Sequence, residues 1–320
     1  MTTKENILVI GACGQLGTEL TVALRNIYGE HHVVATDIHC ADPAFKEQGI
    51  FEELNAMDGK KMAELVNKYQ ITQIYHLAAM LSAKGEQNPL FAWKLNMESL
   101  LNVLEIAREK QLNKIYFPSS IGVFGFDTPK QNTPQQTIIN PTTVYGISKQ
   151  AGEHWCNYYF DKFGVDARCL RYPGLISYNA LPGGGTTDYA VDIFYKALEN
   201  NAYECFLSED TYLPMMYMPD AVKGTLDLMH APANQIKTRT GYNLAAISFS
   251  PKEITQAIQK HIPAFTISYK PDGRQQIADS WPDSIDDTQS RQDWGWQHQY
   301  NLATMVEDML VNLKKKVVLA

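Results

Sequence analysis

Ile7-Leu8-Val9-Ile10 runs without a polar residue straight into Gly11-Ala12-Cys13-Gly14-Gln15-Leu16-Gly17, and no other junction in the chain constrains its fold as much. Four aliphatic residues in a row predict a strand buried on both faces, the kind found inside parallel sheets. The three glycines fall where that strand must turn abruptly into a helix, which Thr18 to Tyr28 supplies. Side chains there would block both the turn and the approach of another group to the backbone. A helix start stripped of side chains exposes N–H groups and the positive end of the dipole, and so receives phosphates. In this setting G-x-x-G-x-x-G predicts a dinucleotide-binding unit, with Gly11, Gly14, Gln15, Leu16 and Gly17 beside the pyrophosphate.

The alternation then repeats. His32 to Thr36 reads as a second strand leading to Asp37, twenty residues after Gly17, with Ile38 next to it. A carboxylate there accepts hydrogen bonds from the adenosine ribose of NAD and repels the 2′-phosphate of NADP, so the expected cofactor is NAD. A third strand, Phe51 to Leu54, leads to Asn55 and Ala56, where an adenine edge can be read. A fourth, Gln73 to Leu77, delivers Ala78, Ala79 and then Ser82, and Leu77 to Ala79 suit a backbone over which a nucleotide passes. After a helical stretch from Asn88 to Lys110, Lys114 to Phe117 forms a fifth strand ending in Pro118-Ser119-Ser120. Val165 to Arg171 forms a sixth, with Tyr172 at its end among the expected cofactor contacts. The pattern predicts an α/β fold with a doubly wound parallel sheet, helices on both faces and ligands at the carboxyl ends of the strands. The expected division is a Rossmann domain of residues 1–173, rejoined by 216–245, and a smaller substrate-binding cap of 174–215 and 246–320.

Such a fold becomes an oxidoreductase when a proton-transfer group stands beside the cofactor. Tyr145-Gly146-Ile147-Ser148-Lys149 offers one, because residues four apart on a helix share a face. A phenol with an ordinary pKa of about 10 must drop by roughly 3 units to act as a base near neutrality, and a nearby ammonium favours the phenolate. The spacing alone says little, since Tyr158 and Lys162 repeat it. Tyr158 lies roughly 140° around the helix from Tyr145, so only one of the pairs can face the cofactor. The serines at the fifth strand end favour Tyr145, and Ser120 is the hydroxyl expected to hold a substrate oxygen.

Other functions fit less well. The formal net charge of −7 argues against general binding to nucleic acid or an anionic membrane, and the one basic run, Lys314-Lys315-Lys316, reads as cations ending the last helix. No stretch approaches the roughly 18 apolar residues of a membrane span. Cys13, Cys40, Cys156, Cys169 and Cys205 are odd in number and never form a C-x-x-C pair. They read as free thiols in a reducing compartment, so a cytoplasmic protein is expected. Adjacent histidines on an extended segment point apart, and no metal is expected at His31-His32.

Gly11-x-x-Gly14-x-x-Gly17, Asp37, Ala78-Ala79, Ser119-Ser120-x-x-Val123-Phe124-Gly125 and Tyr145-x-x-x-Lys149 together resemble the extended short-chain dehydrogenase/reductase superfamily. Its nucleotide-sugar epimerases and dehydratases usually follow their sixth strand with an Arg-x-x-Asn-Val-Tyr-Gly-Pro type of segment. This chain has Arg171-Tyr172-Pro173-Gly174-Leu175-Ile176 and then Pro182-Gly183-Gly184-Gly185-Thr186-Thr187-Asp188-Tyr189-Ala190-Val191, similar to the epimerase-like bacterial L-threonine 3-dehydrogenases. The likeness continues through 203–206, 214–218 and 277–282 and covers nearly the whole chain. It implies oxidation of the C3 hydroxyl of L-threonine by NAD, giving L-2-amino-3-oxobutanoate and NADH. It also implies Tyr145 as base, Lys149 holding the ribose and lowering the tyrosine pKa, and Ser120 orienting the oxygen. Ser82, Thr186 and Asp188 match positions lining the amino-acid site, with Gly185 and Thr187 beside them. Asn55 departs from the Asp that many relatives carry near the adenine. The superfamily further implies a homodimer in which the helices near 91–110 and 144–163 pair as a four-helix bundle.

Two rivals stand beside the threonine reading. An epimerase of the same fold would keep and regenerate its NAD, and an NAD-sensing binding protein would turn nothing over. Pro182 to Asp188 reads either as a plain connection or as a glycine-hinged segment closing over a small zwitterion. Asp188 itself reads as a helix N-cap or as part of a carboxylate receptor. Asp220 is expected to cap Ala221 to His230, Asp286-Asp287 to cap a helix reaching Trp294, and Trp281, Trp294 and Trp296 to pack the core.

Overall fold

The first strands are apolar because they are covered on both sides. β1 (Ile7–Ile10) is fully buried, and α1 (Gln15–Tyr28), β2 (Val33–Asp37), α2 (Pro43–Glu47), β3 (Phe51–Glu53), α3 (Gly59–Lys68) and β4 (Gln73–His76) follow in alternation. Next come α4 (Ser82–Gln87), α5 (Pro89–Lys110), β5 (Lys114–Ser120), α6 (Val144–Phe163) and β6 (Ala167–Tyr172). The second half holds β7 (Gly174–Ile176), α7 (Tyr189–Asn200), β8 (Ala202–Cys205), β9 (Leu213–Tyr217), α8 (Met218–His230), β10 (Tyr242–Asn243) and β11 (Ile247–Phe249). It ends with α9 (Pro251–Gln259), β12 (Thr266–Tyr269), α10 (Gly273–Ala278), α11 (Thr288–Trp294) and α12 (Leu302–Leu319). The computed structural model describes residues 5–179 and 183–319.

Seven strands form one parallel sheet in the order β10-β6-β5-β4-β1-β2-β3. The order runs outward from β1 in both directions, so the connections reverse between β1 and β4, and ligands bind at the carboxyl ends beside such a reversal. This is the doubly wound sheet expected from the alternation. β10 returns from the second half to pair with β6. The other strands make a three-stranded sheet, β11-β9-β7, and a pair, β12-β8, around a separate core containing Phe194, Phe249 and Met309.

Three local expectations are corrected. Asp220 does not cap a helix: α8 starts two residues earlier, and the buried Asp220 carboxylate accepts the N–H groups of Gln299 (2.7 Å) and Tyr300 (3.1 Å). Pro219 in the first turn of α8 explains the earlier start, since its fixed φ suits that position and its missing N–H costs nothing there. Of the pair expected to cap α11, Asp286 accepts the Thr288 N–H at 2.9 Å, whereas Asp287 caps nothing and accepts instead from Arg291 and from the Trp296 indole N–H at 2.9 Å. Cys13 and Cys40 are not free thiols but a disulfide, their Cα atoms 5.6 Å apart, while Cys156, Cys169 and Cys205 are free and buried. The pairing follows from the sheet: β1 and β2 are neighbours with Ile10 opposite Thr36, so the loops leaving their ends run side by side.

Among the described residues no helix is long and apolar enough to cross a membrane, and no group of His, Cys, Asp and Glu is arranged to hold a metal.

Candidate active site

The carboxyl ends of β1, β4, β5 and β6 open into one cleft of about 260 Å³. The glycine loop forms one wall. Gly11 has a φ of +86°, and a Cβ on Gly17 would run into the Gly11 carbonyl, so this turn closes only with glycine. Gly14 stands at the N-cap of α1 and offers the first turn no side chain, which leaves the N–H groups around Gln15 and Leu16 to an anion. Leu77 and Ala79 line the same cleft, and the backbone of Ala78 packs against Gly11.

Asp37 lies at the end of β2, its carboxylate held by the N–H groups of Cys13 (2.9 Å) and Ile38 (2.8 Å). Ile38 and Asn55 are exposed and Ala56 is buried, all beyond the enclosed part of the cleft. A glycine cradle, an uncapped helix start and a carboxylate one strand away fit a dinucleotide with free ribose hydroxyls. Tyr172 offers that ligand only its ring. Its hydroxyl is committed elsewhere, to the Tyr116 hydroxyl (2.6 Å) and to Thr225.

Helix α6 begins where the Thr143 hydroxyl accepts the Gly146 N–H at 3.1 Å. Gly146 has no room for a Cβ against the Gly122 carbonyl, and this close approach sets Tyr145 beside Ser120. The β5–β6 register places Ser119 opposite Arg171 and Ser120 opposite Tyr172. Ser119 donates to Glu153 at 2.6 Å, and Arg171 grips the same carboxylate through Nε (2.8 Å) and Nη2 (2.7 Å). Both ions are buried, so a bidentate pair is sealed into the wall behind the cleft. Ser119 is thereby occupied. Ser120 remains toward the cleft, its oxygen accepting the Gly122 N–H at 3.1 Å.

Burial pushes the Tyr145 hydroxyl up to about 12, and a hydrogen bond with Ser120 pulls it back. Lys149 stands beside this phenol. Its ammonium donates to the Pro118 carbonyl at 2.7 Å and lies 5.5 Å from the centre of the Tyr145 ring. Burial also pushes Lys149 down to about 8.

The second half completes the cleft with Gly185, Thr186, Thr187 and Asp188, and Ser82 faces it from the start of α4. Asp188 does not cap α7; its carboxylate turns back to accept the N–H groups of Gly184 and Gly185, both at 2.7 Å. Burial pushes that carboxyl up, and the two N–H groups pull it back. Pro182, the first residue of the expected hinged segment, lies outside the described residues. Thr186 is 1% exposed, and its hydroxyl has no hydrogen-bond partner in the protein.

Two features of the site escaped sequence reasoning. Trp281, expected as core packing, also lines the cleft, with a buried indole N–H that lacks a partner. Its place in the 277–282 likeness was the available signal. The Glu153–Arg171 pair was the other, marked only by a glutamate one helical turn beyond Lys149.

A phosphate-ready glycine loop sharing its cleft with a serine, a tyrosine and a lysine defines a class: Rossmann-type proteins that transform a substrate with NAD. Residues 7–245 match the NAD dependent epimerase/dehydratase family, and the chain belongs to it. Among solved structures, a GalE-like L-threonine dehydrogenase from Cupriavidus necator in its holo form is 54% identical, with a TM-score of 0.94 over 96% of this chain and 99% of that one. A monomeric L-threonine 3-dehydrogenase from a metagenome database, in its apo form, is 45% identical, with a TM-score of 0.93 over 97% and 99%. An uncharacterized epimerase/dehydratase of Staphylococcus haemolyticus is 49% identical over 314 residues, 98% of each chain.

Proposed function

We propose that the protein is an NAD-dependent L-threonine 3-dehydrogenase. The observation that carries this reading is the buried, unpartnered Thr186 hydroxyl in the cleft that holds Tyr145 and Ser120. A buried hydroxyl left without a partner costs about 1–3 kcal/mol, so its place is best explained by a ligand that bonds to it. Threonine is small and zwitterionic, and a few strong hydrogen bonds to its charged ends must hold it. Thr186 suits its carboxylate, with Ser82 nearby. In the reaction Tyr145 takes the proton of the C3 hydroxyl, Ser120 orients that oxygen, and Lys149 holds the ribose. Bound NAD supplies the hydride acceptor and a positive charge that favours the ionised tyrosine. The products are L-2-amino-3-oxobutanoate and NADH.

The rival is a nucleotide-sugar epimerase or dehydratase, the chemistry in the family's name. Purified protein mixed with NAD and a panel of amino acids and nucleotide sugars separates the two. Stoichiometric NADH absorbance with L-threonine supports the proposal. Conversion of a nucleotide sugar without net NADH, or no turnover of anything, overturns it.

In the same proposal residues 1–173 with 216–245 bind NAD, 174–215 with 246–320 bind the amino acid, and two copies associate through α5 and α6. The support for association is the set of large apolar side chains left in water on those helices, including Phe91 (40% exposed), Trp93 (41%), Ile147 (45%) and Phe163 (44%). The molar mass in solution decides between this arrangement and the monomer that one relative's description gives.

A further inference from the structure

Cys13 sits inside the glycine loop and Cys40 three residues beyond Asp37, so their bond joins the segment suited to the pyrophosphate to the one that follows the carboxylate suited to the adenosine ribose. Asp37 lies between them, one oxygen accepting the Cys13 N–H at 2.9 Å and the other the Ile38 N–H at 2.8 Å. Cys40 is 8% exposed and belongs to the same buried cluster as Phe45 of α2. The bond therefore ties the glycine loop covalently to a packed element. A Cα separation of 5.6 Å is the ordinary span of a disulfide, so the pair closes without backbone displacement. We propose that Cys13 and Cys40 form a reversible thiol–disulfide modification site that sets NAD affinity, with the oxidised form binding NAD more tightly. This inference rests on the NAD site alone and stands whichever substrate the enzyme turns over.

The chemistry balances with a low-molecular-weight thiol as reductant. Its thiolate attacks Cys13, the more exposed of the two, breaking the Cys13–Cys40 bond and releasing the Cys40 thiolate, which takes a proton. A second thiolate attacks the mixed disulfide and frees Cys13, so two external thiols become one external disulfide and two electrons enter the protein. Oxidation is the reverse, with that external disulfide as oxidant. Cys156, Cys169 and Cys205 do not compete, because all three are buried and burial pushes their thiols up.

The affinity follows from preorganisation. In the reduced form only hydrogen bonds hold the Cys13 loop against Asp37, and NAD binding must complete its ordering; in the oxidised form, the covalent link adds that restraint in advance. Fixing one or two such groups is worth roughly a three- to tenfold change in Kd. By linkage, bound NAD must then favour the disulfide by the same factor.

The test is titration of the full chain with NAD by calorimetry, in buffers poised with reduced or oxidised dithiothreitol, alongside Cys40→Ala. Oxidised wild type should bind NAD about three- to tenfold more tightly than reduced. Cys40→Ala should bind like reduced wild type in both buffers. Alkylation under denaturing conditions, read by mass spectrometry, should show the Cys13–Cys40 pair on oxidised wild type. The ratio of reduced to oxidised dithiothreitol needed to open half of it should rise with saturating NAD by the factor found in Kd. Equal affinities in the two buffers, weaker binding when oxidised, or five alkylated cysteines after oxidation overturns the proposal. The last readout needs only wild type, so it holds even if Cys40→Ala folds poorly.

Discussion

Helix α6 carries the same spacing twice, as Tyr145 with Lys149 and as Tyr158 with Lys162, and the two ends of the helix put it to different use. Lys149 is 4% exposed and tied to the Pro118 carbonyl, and Tyr145 meets Ser120 at a strand edge. Tyr158 is 49% exposed and lies edge-on to Trp155 and Phe163, with ring centres 5.8 and 5.9 Å away, while Lys162 stands in solvent. The helix guarantees in both cases that phenol and ammonium share a face. What it cannot guarantee is a face turned toward a ligand and away from water. In solvent, charges this far apart act on each other weakly; in a low-dielectric wall the same separation matters several times more. The pair acquires chemistry from its neighbours.

The largest effect that tests this contrast is the loss of the phenol itself. Tyr145→Phe should lower kcat/KM by about 10³ or more, within the range expected when a proton-transfer group is removed, with NAD affinity nearly unchanged. Tyr158→Phe should leave kcat/KM within about twofold, as exposed positions away from a site generally do. Similar losses from both changes, or from neither, would erase the distinction.

A second prediction concerns the support beneath the buried pair. Glu153 lies one turn beyond Lys149 and joins α6 to β5 and β6 through Ser119 and Arg171. Glu153→Gln keeps the shape but leaves the Arg171 guanidinium buried without its counter-ion. Breaking a buried pair from one side costs about 3–5 kcal/mol, so the denaturant midpoint should fall clearly at unchanged m-value. Nothing comparable supports Tyr158 and Lys162, and Lys162→Gln should shift the midpoint negligibly.

The sequence was informative where local chemistry decides the outcome. The strand-glycine-helix junction, the alternation around it and Asp37 at a strand end each carry their own physical reason, and the parallel sheet follows from them. The choice between Tyr145 and Tyr158 could also be argued, because Ser119-Ser120 ends a strand that must lie near one of them. The features that stayed hidden depend on which segments meet. Cys13 and Cys40 are 27 residues apart and touch only because β1 and β2 are neighbours. Asp188 and Asp220 stand where helices begin, so a cap was the natural reading, but tertiary packing offers their carboxylates other N–H groups. Trp281 resembles its two core relatives until the cleft is seen to pass beside it.

A third, smaller effect separates stability from function at Lys149. Its folded pKa of about 8 lies below the ordinary lysine value, so the folded state holds this proton less tightly than the unfolded chain. The cation therefore burdens the fold fully below pH about 8, and the burden fades as pH rises toward the ordinary value near 10.5. By linkage it amounts to about 3 kcal/mol at neutral pH. Lys149→Met should accordingly abolish turnover while raising the stability of the unliganded protein near pH 7, with the advantage shrinking between pH 8 and 10.5. Lys162→Met, at an exposed position, should show no such pH-dependent gain. Urea unfolding of both variants across that range measures it, and a Lys149→Met protein no more stable than wild type at pH 7 would show that the buried cation is already compensated.

The smallest effect tests what the buried pair faces across its cleft. Thr186 is nearly inaccessible, and its hydroxyl bonds to nothing in the protein. Removing it costs the free protein no hydrogen bond, so Thr186→Ala should leave stability unchanged or slightly raised. If the hydroxyl donates to a substrate carboxylate, its loss removes one hydrogen bond to a charged group, worth about 1.5–3 kcal/mol at the upper end of such effects and about 1 kcal/mol where water can replace it. KM for L-threonine should then rise roughly five- to tenfold, while NAD affinity stays constant. Replacing threonine with the amino alcohol that lacks the carboxylate should impose a similar loss on wild type and little further loss on Thr186→Ala. That non-additivity is the decisive reading, because only groups that touch each other couple. Additive losses would place the carboxylate elsewhere, and Tyr145 would then face an amino acid held by some part of the cleft other than Thr186.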